Sequence, residues 1–194
     1  AWLLARLGYA VSLPPARLQR AFEPALSERV DAHLVLLVDL PDGRWWVDPG
    51  LGTGLREPVP LREGPVEQGG FHYRLEPVPE TGAWRFHHDP RLMAIKTVEA
   101  LPEPAPLERW APGFHADATD EASRYVRVAS ASRRTDDAVI QLVGRTLLRV
   151  TGSTRRLQPV ADAQDWERVL REDFGLALPG LTAAERDEIW ARQP

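Results

Sequence analysis

The 194-residue sequence predicts an α+β fold, antiparallel strands first and helices last. Three observations carry that expectation. Apolar runs with period-two alternation, separated by Pro-, Gly- and Asp-containing turns, fill the first part of the chain. Eighteen prolines argue for turns and strand edges rather than a helical bundle. Toward the C-terminus the apolar spacing changes to three and four residues, the period of an amphipathic helix. The hairpins read as an antiparallel β-barrel or curled sheet, followed by a small α/β module.

Element by element, Ala1–Leu7 reads as the last turns of a helix, ended by Gly8. Trp2, Leu3, Leu4 and Leu7 on it need a partner surface. Tyr9–Leu13 is a short strand stopped by Pro14-Pro15. Val30–Leu40 is a long apolar strand that turns at Pro41-Asp42-Gly43 into Arg44–Val47. Gly50–Gly70 is loop. Phe71–Glu76 alternates, with Phe71, Tyr73 and Leu75 on one face, and pairs with Trp84–His88 across Glu80-Thr81-Gly82. Arg91–Ala118 is a Pro-rich connector, and Arg124–Ser132 and Ala138–Val150 are strands. Asp162 and Asp165 open a helix that lines Trp166, Val169, Leu170 and Phe174 on one face and closes at Gly175. Thr182 and Glu185 form a capping box for a last helix that buries Ile189 and Trp190.

Composition excludes several classes. Charged residues are 27% and the net charge is −4, so no nucleic-acid partner is expected. No apolar run reaches the ~18 residues of a transmembrane helix, so no membrane partner is expected either. The absence of cysteine excludes disulfides and cysteine metal sites and points to the cytoplasm. His87 and His88 adjoin on a strand and face opposite ways; they read as exposed histidines, and no metal site is expected. Trp45 and Trp46 alternate likewise, one for the core and one for a pocket wall.

His33 opens the stretch DAHLVLLV, and Asp48 ends the strand in WWVDPGLG fifteen residues later. A hairpin between them would set the two side chains side by side at one sheet edge. His beside Asp is the base-and-orienter half of a nucleophilic triad. A neutral imidazole takes the proton of a thiol and leaves the thiolate, while the carboxylate holds the ring by its N–H. A capped-edge histidine and a turn aspartate are the plainer alternative. Neither residue is itself the nucleophile, and Ser12 and Ser27 lack both the acidity and a motif. Gly50 and Gly52 come directly after Asp48 and let backbone N–H groups approach a phosphate or carbonyl oxygen, or simply make a turn. No helix pattern succeeds them, which argues against a dinucleotide fold.

DAHLVLLV and WWVDPGLG, with EPVPLREGPVEQGGFHYRLEP, AWRFHHDP and EDFGLALPGL in the same order, resemble the arylamine N-acetyltransferases over essentially the whole chain. The resemblance implies a cysteine-protease-like superfamily fold, with a barrel followed by an α/β lid over the acyl-donor cleft. Residues 1–10 would then end a missing N-terminal helical domain, residues 11–112 form the barrel with His33 and Asp48, and residues 113–194 form the connector and lid. It also implies ping-pong transfer of acetyl from acetyl-CoA to an arylamine, arylhydroxylamine or hydrazine through a Cys-His-Asp triad, a reaction of xenobiotic metabolism. In the family the cysteine lies in an Arg-Gly-Gly-Tyr-Cys-Phe-Glu-like stretch. The family residues just after that stretch look like Ala1–Val11, so the chain reads as a fragment beginning just after its nucleophile. Such a fragment is expected to be inactive alone and to self-associate through its uncovered apolar surface.

Gly50 and Gly52 would lie beside the coenzyme A and acceptor site. Thr119 and Ser123 match a coenzyme-side Ser-Thr-x-Pro-x-Ser-x-Phe segment and could hold a diphosphate or pantetheine, or cap a strand. The sequence departs from the family at Leu51, where an aromatic is usual, and at Ala118, Glu121 and Tyr125. Those departures leave room for an amide synthase of a macrolactam pathway that moves a longer acyl chain. A catalytically dead or merely acyl-CoA-binding remnant is the third alternative.

Overall fold

Alternation and turn chemistry shape the first half of this computed structural model, which describes residues 1–21, 23–30, 33–92 and 95–194. The opening helix α1 (Trp2–Arg6) stops where Gly8 takes φ 89°, and its Trp2, Leu3 and Leu7 are exposed. Among the described residues ten strands come after it: β1 (Ala10–Ser12), β2 (Pro15–Arg20), β3 (His33–Leu34), β4 (Leu36–Leu40), β5 (Gly43–Val47), β6 (Val59–Pro60), β7 (Gly64–Gln68), β8 (Phe71–Val78), β9 (Ala83–His87) and β10 (Ile95–Ala100). Next come α2 (Ala111–Thr119), α3 (Arg124–Arg127), β11 (Ser130–Arg134), β12 (Ala138–Val143), β13 (Thr146–Thr151), β14 (Arg155–Pro159), α4 (Ala163–Phe174) and α5 (Ala183–Ala191). The chain divides into two compact units, Ala1–Gly113 and Phe114–Pro194.

The antiparallel character is as expected, but the barrel is not. Among the described residues the first unit holds two open antiparallel sheets, ordered β1-β4-β5-β6 and β3-β2-β10-β9-β8-β7. The cause is local. The expected single strand Val30–Leu40 is interrupted at Val35, and the chain changes sheet there. β3 pairs with β2, whereas β4 pairs with β1 and β5. Asp31 and Ala32 of that expected strand lie outside the described residues.

Three further expectations are corrected. β1 ends before Pro14-Pro15 as expected, but Pro15 also starts an unexpected strand, β2, where its missing N–H is tolerated and its carbonyl accepts from Leu101 N at 2.9 Å. The expected loop at Gly50–Gly70 contains β6 and β7. The expected connector at Arg91–Ala118 contains β10, an interior strand between β2 and β9. β10 carries a buried carboxylate, Glu99, which is matched by Arg17 on one neighbouring strand and Arg85 on the other.

The core of this unit obeys the alternation. Phe71, Tyr73 and Leu75 of β8 are buried and their neighbours His72 and Arg74 exposed. Trp46 of the first sheet stacks on Phe86 of the second, ring centroids 5.9 Å apart, and Phe86 stacks on Tyr73 at 5.4 Å. Each such buried aromatic contributes on the order of 1.5–3 kcal/mol through burial alone.

The second unit is a four-stranded antiparallel meander, β11-β12-β13-β14. Arg124–Ser132, expected as a strand, begins instead as α3, because Ser123 caps that turn by accepting from Tyr125 N. Ile140, Leu142, Leu147 and Val160 pack with Trp166, Val169 and Leu170 of α4. Phe174, Ile189 and Trp190 close the margin of this cluster, partly buried. Asp162 caps α4 at 2.8 Å, Gly175 ends it with φ 71°, and both halves of the Thr182–Glu185 capping box are present on α5.

Candidate active site

β3 and β5 bring His33 and Asp48 together, though not as neighbours in one hairpin. His33 belongs to the six-stranded sheet through β2, while Asp48 lies just past the end of β5 in the four-stranded sheet. His33 Nε2 lies 2.9 Å from Asp48 Oδ1 and 2.8 Å from Oδ2. An ionised carboxylate only accepts, so Nε2 carries the proton and donates, shared between both oxygens. In the neutral ring Nδ1 is then a free lone pair, the acceptor a general base needs. Asp48 is nearly sealed, its side chain 3% exposed, while that of His33 is 13% exposed. The carboxylate is therefore dry and the imidazole remains reachable.

Gly50 borders the pair. A Cβ there would meet His33 Cε1 at 3.3 Å and Asp48 Oδ1 at 3.6 Å. Cε1 adjoins Nδ1, so the glycine keeps open the ring edge on which the free nitrogen lies. Gly52 belongs to the same loop, in a turn that Gly54 N closes on Leu51 O at 2.7 Å. The indole N–H of Trp110 donates to the His33 carbonyl at 3.2 Å and pins the backbone of β3.

The N-acetyltransferase family model matches residues 1–182 of the chain. The chain belongs to the arylamine N-acetyltransferase family. Solved structures of family members are similar to it. A variant of the Mycobacterium smegmatis N-arylamine acetyltransferase aligns with a TM-score of 0.82 at 26% identity, over 99% of this chain and 71% of that one. The M. tuberculosis arylamine N-acetyltransferase aligns at 0.83 and 25% identity, over 97% of this chain and 71% of that one. The Mycobacterium marinum arylamine N-acetyltransferase, solved in complex with CoA, aligns at 0.82 and 26%, over 98% and 70%. No curated protein sequence matches the chain.

In this family member Thr119 and Ser123 fall in the second compact unit. The Thr119 hydroxyl donates to His115 O at 2.8 Å. Ser123 donates to Asp117 O at 2.6 Å and accepts from Tyr125 N at 3.2 Å. Both hydroxyls thus serve local backbone. Trp46 is the core tryptophan of its pair, and Trp45 walls an apolar cleft of about 470 Å3 with Leu4, Tyr9, Val38, Leu40 and Val47. No group of three or more metal-ligating side chains is found among the described residues. Nor, among them, is any helix long and apolar enough to cross a membrane.

His88 was expected as an exposed strand residue and is instead 5% exposed. β9 ends at His87, so His88 is free of the strand's alternation and turns inward. Its Nε2 lies 3.3 Å from the Thr53 hydroxyl, and burial pushes its pKa down to about 4 against the opposing pull of Asp89 and Asp48. His87 stays partly exposed and meets Glu76 at 2.8 Å. Asp89, also buried, accepts from His72 N and from the Arg91 backbone and guanidinium. Burial works to raise its pKa, but those partners outweigh it and hold it near 2. Trp110, Thr53 and His88 have no motif around them; only an indole in a Pro-rich segment and a histidine pair at a strand end hinted at them.

Proposed function

We propose that His33 and Asp48 are the base and orienter of a Cys-His-Asp triad that transfers acetyl from acetyl-CoA to an arylamine, arylhydroxylamine or hydrazine. The observation that carries it is the Asp48 carboxylate on His33 Nε2, with Nδ1 left as the open acceptor. Family membership and the CoA complex of the Mycobacterium marinum relative support acetyl-CoA as donor. The chain contains no cysteine, so the thiol is supplied from outside these 194 residues and this chain alone is inactive.

His33 Nδ1 takes the thiol proton, and the imidazolium is held by Asp48. The thiolate attacks the acetyl carbonyl carbon, the carbon–sulfur bond to coenzyme A breaks, and His33 returns its proton to the departing thiolate. In the second half the amine nitrogen attacks the acetyl-cysteine. His33 accepts the amine proton and passes it to the cysteine sulfur as the amide is released. Gly50 and Gly52, in the loop after Asp48, leave the backbone open beside the coenzyme A and acceptor groups.

The test joins the chain to a preceding Arg-Gly-Gly-Tyr-Cys-Phe-Glu-type helical segment and monitors coenzyme A thiol release from acetyl-CoA with a hydrazine or aniline. Amine-dependent release is expected, falling by about 10²–10⁴ in His33→Gln and Asp48→Asn. No acetylation with an intact cysteine would overturn the assignment. Turnover of a bulky acyl thioester but not of acetyl-CoA would replace it with an amide synthase.

A further inference from the structure

The dyad joins two separate sheets, and something must hold those sheets in register at its level. Asp48 lies just past β5 of one sheet, and His33 stands on β3 of the other. After Asp48 the chain is tied to the six-stranded sheet at two nearby points. One is the Tyr73 hydroxyl, which donates to Gly54 O at 3.2 Å. The other is the Thr53 hydroxyl at His88 Nε2. Thr53 is itself buried.

We propose that His88 is a positioning residue for the dyad: through Thr53 it fixes the loop just after Asp48 and so sets the carboxylate against His33. Given that His33 and Asp48 act as base and orienter, this adds the support on which their geometry depends. The ring is well placed for it. Its backbone N–H is tied to Lys96 O at 2.8 Å, and its edge meets Tyr73 and Phe86 at 5.6 and 6.0 Å between centroids. Phe86 stacks on Trp46, two residues before Asp48. The Asp48 loop is therefore gripped on both sides, by Trp46 before it and Thr53 after it, from one cluster of rings.

Packing alone would not select histidine here. A phenylalanine would keep the ring contacts, whereas His88 leaves Nδ1 buried without a hydrogen bond of normal geometry, which disfavours the polar ring. The polar ring is explained by its bond to Thr53. Burial also keeps the ring uncharged near neutral pH. A cation there would compete with His33 for the Asp48 carboxylate, and a neutral ring does not.

The test uses the 194-residue chain, labelled with ¹⁵N, and two-bond proton–nitrogen correlations that read the tautomer of each imidazole. In the parent, His33 is expected wholly in the form protonated at Nε2. Thr53→Val removes the hydroxyl at nearly constant shape, and His88→Phe keeps the ring contacts. Both are expected to leave cooperative melts and to convert His33 to a mixture of tautomers. Thr53→Ser, which restores the hydroxyl, should return the single form. A single Nε2-protonated His33 in both Thr53→Val and His88→Phe would overturn the role of His88, as would its loss in Thr53→Ser. A parent in which His33 is not protonated at Nε2 would overturn the dyad as well. The acetyl-transfer assay has a separate readout, so failure of the reaction and failure of the positioning role are told apart.

Discussion

Gly50 has no side chain because the dyad occupies the space one would need. An added methyl group would sit 3.3 Å from His33 Cε1, closer than normal packing allows, so the ring or the loop must yield by a few tenths of an ångström. Gly50→Ala is expected to cost less than about 1 kcal/mol in a urea melt, yet to lower acetyl transfer by roughly tenfold or more, since sub-ångström errors at a base are amplified in rate. Equal rates for Gly50→Ala and parent would remove Gly50 from the site. His88 makes a second prediction through pH. Its fold-favoured form is neutral, with a pKa lowered from 6.5 to about 4, so the unfolded chain takes up the proton first. Stability is complete above about pH 6.5 and falls as the pH drops toward 4, by roughly 3 kcal/mol. Urea melts at pH 7 and 4.5 should show a markedly smaller loss in His88→Phe than in the parent; an equal loss in both would contradict the assignment. His33 and Asp48 were legible because their flanking residues are distinctive. His88 was not, because whether a residue at a strand end keeps or leaves the alternation depends on where the strand stops.

At the scale of elements, β10 shows how a polar strand can be interior. Glu99 is 1% exposed and bridges Arg17 and Arg85, whose side chains are 28% and 30% exposed. Burial works to raise the Glu99 pKa, but the two guanidiniums outweigh it and hold it below the usual carboxylate range. Glu99→Ala leaves two arginines that can still reach water, so the expected loss is about 2–3 kcal/mol rather than the ~3–5 of a fully buried pair. Chemical denaturation of this variant measures it, and a loss under about 0.5 kcal/mol would show that the triad contributes nothing net. Period-two patterning found β8 and β9, whose apolar faces are their own, and capping chemistry found α4 and α5. It missed β10, whose partners are charged residues distant in sequence, and β2, whose first residue is a proline. Local propensity carries no record of either partner.

At the scale of the molecule, the sheet change at Val35 separates an expected barrel from the two sheets observed. An uninterrupted apolar run gives no sign of where it changes partner, so that break was not legible. It matters for function, because it sets His33 and Asp48 on different sheets and makes their 2.8–2.9 Å contact a product of tertiary packing. We propose that this packing creates a base for a thiol. Its most direct test joins an Arg-Gly-Gly-Tyr-Cys-Phe-Glu-type helical segment to the chain and measures alkylation of that cysteine with iodoacetamide at neutral pH in the parent, His33→Gln and Asp48→Asn. A thiolate maintained by His33 is expected, with alkylation slowed by about 10²-fold in His33→Gln and by a smaller factor in Asp48→Asn. Equal rates in all three would contradict it.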